Sequence, residues 1–129
     1  MKRGFRLLPA WMLTMVSGVA IIWLTLSPRP LGDTGISLFP GADKLAHAIL
    51  FGGFAICMLV DWRRYCPCRR NMARRVVLSV AFSFLFGIVI EFMQGWMNLG
   101  RSFDVADIGA DLVGCILAGL LWILLMPRQ

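Results

Sequence analysis

Residues 76–94 have the sequence VVLSVAFSFLFGIVIEFMQ, a run in which Glu91 is the only charged residue. At a rise of about 1.5 Å per residue, a helix of this length roughly matches the ~30 Å hydrocarbon core of a bilayer. Inside lipid the segment has to be helical, because each backbone N–H and C=O group needs a partner within the segment. We therefore expect a membrane-spanning helix over residues 76–94.

Three further apolar stretches lie at residues 7–26, 45–60 and 105–126. The chain is 59% hydrophobic with a mean hydropathy of +0.77, which is more than the core of a 129-residue soluble domain could bury. The first stretch follows basic residues as in a signal peptide, but Ser27-Pro28-Arg29-Pro30 is not a small-residue cleavage site. The sequence predicts an all-α polytopic membrane protein, with one domain over residues 1–129 and four transmembrane helices in two hairpins.

The basic residues indicate how these helices are oriented. Lysine and arginine are enriched on the cytoplasmic side of membrane proteins. The only basic residues in the connections at residues 27–42 and 95–103 are Arg29 and Arg101. Both termini and the connection at residues 61–75 are therefore predicted to be cytoplasmic, and the net charge of +6 belongs to a membrane surface rather than to nucleic-acid binding. The basic residues on the predicted cytoplasmic side include Lys2, Arg3, Arg6, Arg63, Arg64, Arg69, Arg70, Arg74 and Arg75.

The acidic residues have the opposite distribution. Of the seven, only Asp61 lies on the predicted cytoplasmic side, and Asp33 lies in the first outer connection. The other five occur at outer helix ends together with most of the remaining polar groups able to bind a ligand. This set predicts a ligand-binding site composed of Asp43, Lys44, His47, Glu91, Gln94, Arg101, Asp104, Asp107 and Asp111.

Helical spacing places Glu91 and Asp111 of the predicted site on helix faces rich in small residues. Glu91 continues a four-residue repeat in the third helix, and Asp111 lies on the same face of the fourth helix as Gly114. Small residues allow close approach of helices, so these two faces are expected to pack on each other. The small residues of the second helix, Ala48 and Gly52, lie on a different face from His47. The two faces comprise Ser79, Ser83, Gly87 and Glu91 in the third helix, and Asp104, Asp107, Asp111, Gly114 and Ala118 in the fourth.

Structural roles compete with ligand binding at several positions. Asp43, Asp104 and Asp107 stand where helix N-caps occur, Gln94 and Arg101 could tether the turn, and His47 could be a hydrogen-bonded packing residue. Capping does not account for Glu91 and Asp111, because a charge at membrane depth costs roughly 2.5–3.5 kcal/mol. We expect at least one of these two carboxyl groups to be protonated or bound to a cation. With His47 and Asp107 they are predicted to line one outward-open polar cavity, whose mouth carries Lys44 and Arg101.

Three motifs resemble the VanZ-like family. They are Asp43-Lys44-Leu45-Ala46-His47, then Glu91-x-x-Gln94, then Arg101-Ser102-Phe103-Asp104-x-x-Asp107-x-x-x-Asp111-x-x-Gly114. This bacterial membrane family is named for a protein linked to low-level resistance to the glycopeptide teicoplanin. The resemblance implies a multi-pass protein of the bacterial inner (cytoplasmic) membrane. Family members usually have Asn at the position of Asp111, so this chain carries a possible extra negative charge there.

Three functions fit this pattern. The site could bind the polar head of an envelope lipid or lipid-linked intermediate, with phosphate meeting Lys44, Arg101 and the helix starts. The protein could instead be an enzyme that uses acid/base chemistry or a divalent cation. The candidate metal ligands are Glu91, Asp107, Asp111 and His47. The chain could also be a structural or regulatory subunit of an envelope complex. Cys66 and Cys68, in a reducing compartment, are interpreted as an incidental pair rather than a metal site.

Overall fold

A computed structural model describes residues 8–26, 42–66, 70–97 and 103–126. These residues form four α-helices: α1 (Met12–Leu26), α2 (Ala42–Tyr65), α3 (Met72–Met97) and α4 (Val105–Leu125). Helices α2, α3 and α4 are long and apolar enough to cross a membrane, whereas α1 is a shorter apolar helix of 15 residues. The prediction of an all-α protein with four helices is confirmed.

The helix ends differ from the predicted ones for identifiable reasons. Helix α1 begins at Met12 rather than at residue 7, after Trp11 adopts a left-handed φ of 59° that an α-helix cannot continue through. Helices α2 and α3 extend beyond residues 45–60 and 76–94, because hydropathy marks the lipid-embedded part of a helix and not the hydrogen-bonded turns outside it. The segment from Asp61 to Tyr65, predicted as part of a connection, is the last part of α2.

Contacts between helix ends define the two ends of an antiparallel bundle. Thr14, near the start of α1, bonds to Asp61 near the end of α2, and we call this the Asp61 end. At the other end, Lys44 in the first turn of α2 reaches Asp104 immediately before α4. The rings of Phe92 and Phe103 pack 5.2 Å apart between their centroids, which holds the end of α3 beside the start of α4. We call this the His47 end.

The buried face of α3 is mostly small or polar, whereas much of the outer surface of the bundle is apolar. In α3 the buried residues include Ser79, Ser83 and Gly87, whereas Phe82 and Leu85 are exposed. Exposed apolar surface of this kind is typical of a protein surrounded by lipid, where small residues mark the contacts between helices. Both predicted small-residue faces therefore point into the protein.

The pairing predicted for these two faces is present at Gly87, where a Cβ atom would meet Asp111 of α4, but was wrong at Gly114. Gly114 of α4 contacts α2 rather than α3, and a Cβ atom added there would collide with the backbone carbonyl of Ala48. A Cβ atom at Gly52 would come within 2.8 Å of the Gly114 carbonyl oxygen. Ser83 of α3 also turns to α2, where its hydroxyl donates to the Phe51 carbonyl at 2.7 Å. The closest backbone approach thus joins α2 to α4.

A buried polar cluster that was not predicted from the sequence lies at the Asp61 end. The Asp61 carboxylate is fully buried and accepts hydrogen bonds from the backbone N–H and hydroxyl of Thr14, at 2.9 and 2.8 Å. Arg64, one turn later, donates to Asp61 at 2.9 Å and to the Leu8 carbonyl at 3.2 Å. These bonds attach α1 to α2, so the role of this carboxylate is structural.

The orientation of the bundle in the membrane stays a prediction, with a direct test. We expect Cys66 and Cys68 to resist a membrane-impermeant maleimide in intact cells, because the surrounding arginines favour the cytoplasm. A cysteine introduced by Thr34→Cys, in the first outer connection, should react. Labelling is read by mass shift, and permeabilised cells provide the control in which Cys66 becomes reactive. Reaction of the native cysteines but not of the introduced one would place the His47 end in the cytoplasm.

Candidate functional site

Three helices bring four titratable side chains together at the His47 end. His47 lies in the second turn of α2, Glu91 lies near the end of α3, and Asp107 and Asp111 occupy the first two turns of α4. Because α3 runs antiparallel to both α2 and α4, the late turns of α3 meet the early turns of the other two. We call His47, Glu91, Asp107 and Asp111 the His47 cluster.

The imidazole of His47 contacts all three carboxyl groups. Its Nδ1 atom lies 3.1 Å from Asp111 Oδ1 and 3.6 Å from Glu91 Oε1. Its Nε2 atom lies 4.0 Å from Asp107 Oδ2. The ring stacks on Phe51, with 6.0 Å between the centroids, which fixes its plane. His47 is therefore the centre of the site rather than a packing residue at its edge.

The cluster is packed inside the protein. The exposed fractions are 0% for Glu91 and Asp111, 2% for His47 and 5% for Asp107. The four predicted residues do converge, but their side chains are buried between the helices, in contrast to the outward-open cavity expected from the sequence. Within the described residues, Glu91 Oε1 and Asp111 Oδ2 are buried without a hydrogen-bond partner. Buried carboxylate oxygens in that state demand a donor or a cation.

The rim of the cluster consists of Lys44 and Asp104. The Lys44 ammonium lies 3.4 Å from Asp104 Oδ2 and 3.7 Å from Asp107 Oδ1, and both rim side chains are nearly half-exposed. Asp104 caps α4, since its Oδ1 accepts from the Ala106 N–H at 2.8 Å. This hydrogen bond, with a further contribution from the Lys44 ammonium, holds the pKa of Asp104 below its usual value. The backbone N–H of Asp104 in turn donates to Glu91 Oε2 at 3.3 Å.

Three other predicted site residues are placed differently or lie outside the description. Gln94 is buried, and its side-chain amide donates to the Thr25 carbonyl at 2.7 Å. This bond attaches α3 to α1, which is a structural role, although not the tethering of the turn that the sequence suggested. Arg101 lies outside the described residues, and so does the side chain of Asp43.

Gly87 belongs to the site although it has no side chain. A Cβ atom at this position would lie 2.6 Å from Asp111 Oδ2. The absence of a side chain on α3 therefore makes room for the carboxylate of α4. The four-residue repeat in α3 was the sequence signal for this position, but it was interpreted as helix packing alone.

The comparisons with known proteins identify the family of the chain. The family model described as VanZ/LLP1 matches residues 3–126, which is nearly the whole chain. The chain belongs to the VanZ/LLP1 family. A protein of Schizosaccharomyces pombe, described as Uncharacterized protein C11E3.10, is 32% identical over 114 residues. That alignment covers 88% of this chain and 66% of the yeast protein. No solved structure matches the chain.

The yeast relative bears on where VanZ/LLP1 proteins occur. A relative from a eukaryote shows that the resemblance is not confined to bacterial proteins. Family membership and three membrane-crossing helices establish a membrane protein.

In this VanZ/LLP1 protein, the His47 cluster offers mainly hydrogen-bond acceptors and metal ligands. Three carboxyl groups surround one imidazole, and the neighbouring cation, Lys44, stands at the rim. Such an arrangement binds protons, metal ions or the N–H and O–H groups of a ligand. A bare phosphate would be repelled from the centre of the cluster and could approach only at the rim.

Proposed function

We propose that this protein binds the polar head of an envelope lipid or lipid-linked envelope intermediate at the His47 cluster, in the bacterial inner membrane. The observation that carries the proposal is the convergence of four titratable side chains from three helices at one end of a membrane bundle. Ionisable residues within a membrane protein are expensive and usually mark a functional site.

The contrast between the two buried polar groups supports a ligand role for this one. At the Asp61 end, the carboxylate oxygens of Asp61 are bonded to α1 and to Arg64, which accounts for the burial structurally. At the His47 end, oxygens of Glu91 and Asp111 have no such partner within the described residues. Acceptors left open at a defined place are suited to a ligand that brings hydrogen-bond donors.

The rim defines where the phosphate of such a ligand would lie. Lys44 is nearly half-exposed and carries the positive charge beside the cluster. A head group with hydroxyl or amino groups next to a phosphate would direct its donors towards Glu91 and Asp111 and its phosphate towards Lys44. Arg101, placed at the same end by the sequence, would add a second cation. A link to glycopeptide resistance follows if the ligand is a cell-wall intermediate.

An enzyme that acts on such a ligand is the second candidate, and one contact favours it. Asp111 Oδ1 lies 3.1 Å from Nδ1 of His47, the arrangement in which a carboxylate orients an imidazole for proton transfer. Asp107 then lies on the side of Nε2, 4.0 Å away. In this version the bound head group would be chemically altered instead of only held.

Bound lipid provides the test of the first proposal. The detergent-purified protein should retain one class of lipid, identified by mass spectrometry. Glu91→Gln should reduce it about tenfold or more, because a hydrogen bond to a charged group contributes about 1.5–3 kcal/mol. Val89→Leu is the matched control, since this side chain lies two residues before Glu91 in the same helix and is 52% exposed. Identical lipid profiles in all three proteins would contradict head-group binding here, and turnover of the retained lipid would establish the enzyme.

A further inference from the structure

Three side chains of the His47 cluster have the spacing of metal ligands. One ligand atom each from His47, Glu91 and Asp107 lies within 4.8 Å of the others, and all three residues are buried. In a tetrahedral site with ligand atoms about 2.0–2.2 Å from a Zn²⁺ ion, the ligand atoms lie about 3.3–3.6 Å apart, so these side chains would have to close by up to about 1.5 Å to bind an ion. The three ligands come from three different helices, which restricts how far they can separate.

The fourth residue of the cluster has the position of a supporting partner. A metal-binding histidine usually donates its other ring N–H to a carboxylate, which fixes the tautomer and the ring orientation. Asp111 Oδ1 lies 3.1 Å from Nδ1 of His47 and is placed to accept that hydrogen. The lone pair of Nε2 is then available on the side where Asp107 lies. The sequence pattern alone does not distinguish the metal ligands from the residue that positions His47.

Independent support comes from Glu91 Oε1, a carboxylate oxygen that accepts no hydrogen bond from the described residues. Glu91 Oε1 is fully buried and has no hydrogen-bond partner within the described residues. It lies 3.6 Å from Nδ1 of His47, and the Glu91 carboxylate would have to shift towards the Nε2 side to reach an ion bound there. Hydrogen bonding among the described residues accounts for Glu91 Oε2, which accepts from the Asp104 N–H, but not for Oε1. A cation at the centre would satisfy it.

We propose that His47, Glu91 and Asp107 bind one divalent transition-metal ion, Zn²⁺ or Mn²⁺, and that Asp111 positions His47. The imidazole ligand favours these ions over Mg²⁺ and Ca²⁺, which prefer oxygen ligands alone. Three protein ligands leave coordination positions for water or for an oxygen of a ligand. The metal site concerns the same cluster as the proposed head-group function but does not require it, because metal binding is measurable without lipid.

Metal content of the purified full-length chain tests this inference. Cys66→Ser and Cys68→Ser are introduced first, because a Cys-Pro-Cys segment can retain Zn²⁺ by itself. The chain is stripped with a chelator, loaded with Zn²⁺ or Mn²⁺ in lipid-free detergent, desalted and analysed by mass spectrometry. We expect about one equivalent of metal, and chelator competition provides the affinity. Less than about a tenth of an equivalent would overturn the proposal, whatever lipid the protein binds.

Variants distinguish the roles of the four residues. Glu91→Gln and Asp107→Asn each remove a ligand and should weaken Zn²⁺ binding about 100-fold or more, whereas loss of a supporting residue usually costs about 10–100-fold. Asp111→Asn retains a hydrogen-bond acceptor for His47, so it should weaken Zn²⁺ binding by about tenfold or less. Asp61→Asn changes a carboxylate at the opposite end of the bundle and, in protein that remains folded, should leave the affinity unchanged. Equal affinities for Asp107→Asn and Asp61→Asn would overturn the ligand assignment.

Folding of these variants is checked without metal. Glu91→Gln and Asp107→Asn reduce negative charge in a buried cluster, so their metal-free melting temperatures should equal or exceed that of the parent. Zn²⁺ should raise the melting temperature of the parent but not of Asp107→Asn, since an ion that binds only the folded state stabilises it. Equal stabilisation of both proteins by Zn²⁺ would also count against the assignment.

Discussion

Gly114→Ala is expected to destabilise the detergent-solubilised protein by about 3 kcal/mol, near the upper end of what overpacking usually costs. The added methyl group would collide with the backbone carbonyl of Ala48, and a backbone group cannot turn away as a flexible side chain can. Helices α2 and α4 would have to separate at their closest approach. For a chain of this size we expect the melting temperature to fall by roughly 10 °C.

Gly109→Ala is the matched control because it makes the same chemical change in the same helix. A Cβ atom at Gly109 meets nothing within 4 Å, so the substitution should be neutral or stabilise the helix by about 0.5–1 kcal/mol. The Gly114 variant should also lose Zn²⁺ affinity, because His47 precedes Ala48 and Asp111 lies one turn before Gly114. Equal melting temperatures for the two variants would show that the α2–α4 crossing is not as close as the structure has it.

The helices were predictable because hydropathy and length determine what can cross a bilayer. Their partners were not, since close approach depends on which of several small residues faces which neighbour. Gly52 and Gly53 are adjacent in the sequence, yet a Cβ atom at Gly52 would meet Gly114, and one at Gly53 would meet nothing within 4 Å. The α2–α4 contact therefore needed three-dimensional information.

The composition of the His47 cluster was predictable for a different reason. A carboxyl group at membrane depth is unfavourable wherever it points, so Glu91 and Asp111 were identified without knowing their neighbours. Helical spacing then placed Asp107 on the face of Asp111. Their burial depends on how tightly three helices close around them, which a linear pattern does not contain.

Gln94 and Asp61 show what residue type alone cannot decide. Both are buried polar residues whose partners lie in α1, namely the Thr25 carbonyl and the Thr14 N–H and hydroxyl. Helix α1 carries no motif, and a backbone carbonyl is present at every residue, so nothing in the sequence pointed to these bonds. Gln94 was consequently assigned to the ligand site, and Asp61 was left without a role.

Asp61→Ala should be strongly destabilising, by about 3–5 kcal/mol, which is the usual cost of removing one partner of a buried ion pair. Arg64 is only 5% exposed and would lose the carboxylate 2.9 Å from its guanidinium. Thr14 would lose the acceptor of both its backbone N–H and its hydroxyl, so α1 would be held less firmly against α2. Thermal unfolding in detergent measures the effect, which should appear as a lower melting temperature.

Arg63→Ala provides the control for this change, because its side chain is exposed on the adjacent position of α2. Exposed substitutions of this kind usually change stability by no more than about 0.5 kcal/mol. Asp61→Asn should fall between the two, since an amide oxygen can still accept from Thr14 but supplies no charge for Arg64. In protein that remains folded, Asp61→Ala should keep the parental Zn²⁺ affinity, because Asp61 lies at the opposite end of the bundle from His47. Similar melting temperatures for Asp61→Ala and Arg63→Ala would show that the buried pair does not hold α1 in place.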